Sequence, residues 1–85
     1  MLLPPKAYGL NSRVILEELG PKHIAIVKKV KSRIIQKDAH KIIEMAEKIR
    51  GTNPGVAVSL ICNNNICSKS VKLLNENGVN IRMRE

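Results

Sequence analysis

Aromatic residues are almost missing. The 85-residue chain has one tyrosine and neither phenylalanine nor tryptophan. Any core must therefore be aliphatic, and binding modes that stack bases on aromatic platforms, as in RRM-type sheets or OB-type grooves, are excluded. Acids are scarce too: 7 Asp and Glu stand against 15 Lys and Arg, for a net charge of +8. No run of about 18 apolar residues exists to span a membrane. The Met-Leu-Leu-Pro-Pro opening is too short and Pro-rich for a signal peptide, so the cytoplasm is the expected compartment. Cysteines number two, Cys62 and Cys67. A zinc site needs four ligands, and only His23 and His40 could join them, with no paired C-x-x-C spacing. A short-loop disulfide is open to them, but reduced thiols acting as small apolar fillers suit a cytosolic chain better. No metal or other cofactor is expected.

What is present suits one small folded domain. The hydrophobic fraction is 44% and the charged fraction 26%, near globular averages. Residues 1–10 carry Pro4 and Pro5 without periodicity and read as an N-terminal arm, loose or docked in extended form; residues 11–85 read as a single α/β domain. Asn11 or Ser12 caps a short helix through Leu19, with Val14, Ile15, Leu16 and Leu19 as its apolar face and Gly20-Pro21 as its stop. From His23 to Lys31 the pattern has period two, apolar on both sides at first and basic later. Ala39, Ile42, Ile43, Ala46 and Ile49 mark a helix over 37–50 ended by Gly51. Val56 to Cys62 is a strand buried on both faces. A second well-marked helix runs from about Ser68 to Asn77, and Val79, Ile81 and Met83 alternate in a last strand. The expected fold is α-β-α-β-α-β, a three-stranded, mainly parallel sheet covered by helices. Such a thin core, with an open last strand, suggests a homodimer.

Seven cations fall between positions 22 and 41, namely Lys22, Lys28, Lys29, Lys31, Arg33, Lys37 and Lys41, and only Asp38 opposes them. If the basic strand continues to Arg33, then Lys29, Lys31 and Arg33 project from one side about 7 Å apart, twice the strand rise. That is close to the spacing of phosphates along one nucleic-acid strand. Lys37 and Lys41, one helical turn apart, extend the surface. Arg82 and Arg84 add a second pair on the last strand. The expected partner is nucleic acid, DNA or RNA, with Lys28, Lys29, Lys31, Arg33, Lys37 and Lys41 on its phosphates. The competing readings are a solvated basic face or an acidic protein partner. A membrane surface fits poorly, since no helix joins a basic face to bulky aromatic anchors.

Cys67 and Ser68 stand near a helix N-terminus, where the dipole and free amides lower a thiol pKa or bind an anion. No histidine is implied beside them, so a catalytic Cys67 ranks below a packed or capping one. Asn64, Asn65 and Ser68 form a possible anion site, since the loop follows a strand's carboxyl end and opens a helix. Without a Gly-rich cradle or Gly-Lys-Ser/Thr, nucleotide hydrolysis is not supported. The alternative function is a protein-interaction or small-anion-binding module built on the Asn63–Ser70 loop.

The basic strand ending Lys29-Val30-Lys31, the helix from Asp38 to Arg50, the apolar strand, the Ser-bearing helix and the closing Gly78-Val79-Asn80-Ile81 together resemble the second half of the restriction-endonuclease-like fold. The Mrr and archaeal Holliday-junction-resolvase branches are nearest in style. That family places a carboxylate, one residue and a lysine on its motif strand, the acids holding a metal and the lysine orienting the attacking water. Lys31 matches the lysine, but Lys29 stands where the carboxylate belongs, and the upstream acid is lacking. The resemblance therefore implies a non-cleaving member that keeps a nucleic-acid-binding surface. Gly55–Arg82 is also similar to the half of a phospholipase-D-type domain that precedes its His-x-Lys motif, which does not follow here. Leu19–Ile49 resembles the helix-strand-helix portion of the archaeal chromatin protein Alba, whose basic strand-to-helix region meets nucleic acid.

Overall fold

The computed structural model describes residues 2–28, 33–63 and 65–83. Five strands form one sheet in the spatial order β1-β2-β3-β4-β5: β1 (Leu2–Leu3), β2 (Ile15–Gly20), β3 (His23–Lys28), β4 (Ala57–Cys62) and β5 (Val79–Met83). The first three pair antiparallel and the last three parallel. Helix α1 (Gln36–Thr52) connects β3 to β4, and α2 (Ser68–Glu76) connects β4 to β5. The expected three strands and three helices in α-β-α-β-α-β order are thus corrected to a five-stranded mixed sheet with two helices.

The correction lies in residues 11–20. Arg13 N–H donates to Asn11 Oδ1 at 2.9 Å and Val14 N–H to the Asn11 carbonyl at 3.0 Å. The capping residue expected for a helix makes a turn instead, as Asn side chains do. Gly20-Pro21 is hairpin punctuation rather than a helix stop, because Gly20 pairs with His23 across it. Pairing Leu16 with Ile26 buries Leu16 fully, while Ile15, opposite Val27, remains half exposed. A helix of two turns gains little without a packed face. Six residues beside an apolar strand gain ladder hydrogen bonds and a cross-strand core pair. Residues 2–10 are docked on this hairpin: Leu2 and Leu3 pair with Glu17 and Leu16, Pro5–Tyr8 forms a 3-10 turn, and Leu10 is buried.

Right-handed crossovers taken twice in the same direction put both helices on one sheet face. Ala39, Ile42, Ile43, Ala46 and Ile49 of α1 and Leu74 of α2 share one core with Leu16, Ile24, Ile26, Val58, Leu60, Cys62 and Val79. Ala25, Ser59 and Ile61 point to the opposite face, where His23 Nε2 and Ser59 Oγ share a hydrogen bond. At the close of α2, Gly78 adopts φ +76° and its carbonyl accepts from Arg50 Nη2 at 3.0 Å, tying α2 to α1.

Candidate functional site

Parallel strands deliver their connections to one end of a sheet. Lys28, Cys62 and Met83 are in register there, and both helices begin there. Because β2 runs antiparallel to β3, its Asn11–Val14 approach lies at the same end. Ile34 joins two of these connections through a parallel bridge with Ile66: Ile34 N–H donates to the Asn65 carbonyl at 2.8 Å, and Cys67 N–H to the Ile34 carbonyl at 3.1 Å.

Of the cations expected to meet phosphates, Lys29 and Lys31 lie outside the described residues, and so does Asn64 among the possible anion ligands. Lys28 closes β3, half buried, with its ammonium 3.8 Å from Asp38 Oδ1. Asp38 Oδ2 also accepts Ile35 N–H at 3.2 Å, so this acid steadies the start of α1 as well as the end of β3. Arg33 is exposed just before the Ile34 bridge, outside any strand. Lys37 and Lys41 are exposed one turn apart on α1.

Lys28 and Lys41 line a half-open cavity of about 660 Å³ with Asn11, Arg13, Val14, Ile15, Ile26, Val27 and Met45. Cations from three parts of the chain therefore meet at one concavity, and none of the described residues lining it is acidic. The charged side-chain ends of Arg13 and Lys41 have no ion-pair or hydrogen-bond partner among the described residues. Reasoning from the sequence missed Arg13, because residues 11–19 as a helix have no fixed relation to Lys28. The available signal was the β-branched Val14-Ile15 pair before Gly20-Pro21, which suits a hairpin strand.

The second candidate cluster is organised differently. Ser68 is the exposed first residue of α2, but the N-cap is Cys67, whose Sγ accepts Ser70 N–H at 3.4 Å and lies 2.9 Å from Ser70 Oγ. Bonding from the Ser70 hydroxyl, then from its amide, lowers the Cys67 pKa below the ordinary thiol value; the Arg33 charge adds to this, and partial desolvation opposes it. Burial pushes the Cys62 thiol up. Both cysteines are free thiols. Sulfur thus takes the Ser70 amide that an anion at this helix start would use. His23 bonds Ser59 on the opposite sheet face and His40 is exposed on α1, so the structure brings neither histidine to Cys67.

Among the described residues no group of three His, Cys, Asp or Glu side chains converges as a metal site would require, and no helix is long and apolar enough to cross a membrane. Comparison with protein-family models, with curated proteins and with solved structures returned no match.

Proposed function

We propose that this protein binds nucleic acid through backbone phosphates at the carboxyl end of its parallel strands, with Lys28, Arg33, Lys37 and Lys41 as the described contacts and Lys29 and Lys31 completing the set. The observation that supports this most is the gathering of Lys28 and Lys41, thirteen positions apart, around one cavity with no acid among its described lining residues. A solvated basic face would need no such gathering, since like charges brought together repel. Exposed Lys and Arg at such a surface neutralise phosphates and release counterions, a sequence-independent mode of binding. The scarcity of aromatic residues agrees with it, because phosphate contact requires no stacking. Binding rather than cleavage follows from Lys29, a cation where the resembling nucleases place a metal-holding carboxylate. The open edge of β5 suits a second copy, which would double the cationic surface.

Titrating labelled duplex and single strands in low salt tests the proposal. Binding that weakens steeply with added salt supports it. An affinity that is undetectable at low salt, or indifferent to salt, refutes it.

A further inference from the structure

Phosphate contact along a backbone asks only for an exposed cationic surface. The cavity beside Lys41 offers more than that. Its roughly 660 Å³ falls within the range of about 300–1,000 Å³ typical of small-ligand pockets. Its lining is divided by chemistry: Arg13, Lys28 and Lys41 supply charge, and Val14, Ile15, Ile26, Val27 and Met45 supply an aliphatic wall. Lys28 shares its charge with Asp38, which leaves Arg13 and Lys41 as the cations without a partner among the described residues. The Arg13 guanidinium has the planar fork that engages two phosphate oxygens at once. Asn11 Oδ1 already accepts Arg13 N–H, so the Asn11 amide nitrogen is the group left to donate. Among the described lining side chains donors therefore predominate, matched to a ligand rich in acceptors. The Met45 thioether and the aliphatic wall suit the flat face of a base.

We infer that this cavity receives a nucleoside monophosphate, its phosphate on Arg13 and Lys41 and its base on the aliphatic wall. The inference rests on the nucleic-acid reading for one of its two sources, the phosphorylated end of a strand; the other source is a free nucleotide. The half-open cavity admits a chain end, whereas internal phosphates reach Arg33 and Lys37, which lie outside its lining. The protein then prefers ends that carry phosphate.

The test compares short single strands bearing a 5′-phosphate, a 3′-phosphate or hydroxyls at both ends, by fluorescence anisotropy. Adenosine and uridine monophosphates and inorganic phosphate are titrated separately by NMR on the methyl groups of Val14, Val27 and Met45. The quantity read is the affinity ratio between phosphate-ended and hydroxyl-ended strands, about tenfold for one added charge-assisted contact. Arg13→Ala brings the ratio to about one by removing the fork. Ile15→Trp does the same by filling the space, from a half-exposed position that spares the core, and thermal melts confirm that both variants fold. A ratio of one in the native chain, with hydroxyl-ended strands still bound, overturns the cavity assignment and leaves the phosphate surface standing. Failure of every strand to bind, with monophosphates still shifting the three methyl groups in an Arg13-dependent way, overturns the nucleic-acid reading and leaves a free-nucleotide site. Inorganic phosphate binding as tightly as the monophosphates overturns the assignment of the wall to a base, and failure of all probes overturns both.

Discussion

Alanine at both Lys37 and Lys41 should flatten the salt dependence of nucleic-acid binding by an amount the structure allows us to state. Lys28, Arg33, Lys37 and Lys41 give four phosphate contacts, hence a slope of log affinity against log salt of about −3.6 on duplex and about −2.8 on single strands. On duplex, moving from 50 to 200 mM salt then weakens binding roughly 150-fold. Removing two contacts lowers the duplex slope to about −1.8 and the same loss to roughly 12-fold. Any contribution of Lys29 and Lys31 raises both slopes together and leaves the difference of about 1.8 intact. Lys37 and Lys41 are the cations to change because both are exposed on α1, where alanine is the strongest helix former. Lys28 is unsuitable, since its loss would also strip Asp38 of its ion pair. Lys48→Ala is the control: it is exposed on the same helix, about 10 Å beyond Lys41 along the axis at 1.5 Å per residue. Anisotropy titrations at four or five salt concentrations measure the slopes. A double variant with the native slope, or a Lys48 variant that flattens it equally, refutes the placement of the phosphate track.

Other expectations concern the fold and the thiols. Leu16→Ala should lose about 2–5 kcal/mol because its side chain is fully buried in the shared core, while Ile15→Ala changes stability by less than about 1 kcal/mol; equal losses in urea unfolding would contradict the β2 assignment. Gly78→Ala puts a β-carbon 3.1 Å from Arg50 Nη2 at φ +76° and should cost about 1–3 kcal/mol, seen as a drop in Tm of at least about 4 °C; an unchanged Tm disproves it. Cys67 alkylation by iodoacetamide should turn on at lower pH in the folded protein than in urea, and Ser70→Ala should move the inflection back up; coincident folded and unfolded profiles would contradict the Ser70 bonding. The linkage has one sign: with the folded pKa below the unfolded one, the Cys67 thiolate adds stability above the unfolded pKa, and that contribution fades as pH falls through the folded pKa.

Much of the architecture is legible from local pattern. Ala39, Ile42, Ile43, Ala46 and Ile49 repeat at helical spacing and all are buried in α1. The apolar run after Gly55, interrupted only by Ser59, becomes β4, the strand with parallel neighbours on both sides. Gly78 marks the stop of α2 through its left-handed backbone. Residues 11–20 defeat local reading because Val14, Ile15, Leu16 and Leu19 satisfy both a helical face and a strand. Only the presence of β3 alongside chooses between the two.

Composition and periodicity alone determined an aliphatic core, a strong excess of cations around position 30 and the helix-strand-helix-strand order of the second half, because each depends on residue type and on neighbours within a few positions. Tertiary structure decided that residues 2–20 extend the sheet, that both helices share one face, and that Arg13 meets Lys28 and Lys41 at a cavity. These follow from which distant segments pair and pack, and the free energy of such pairing belongs to the contact between segments rather than to either one of them.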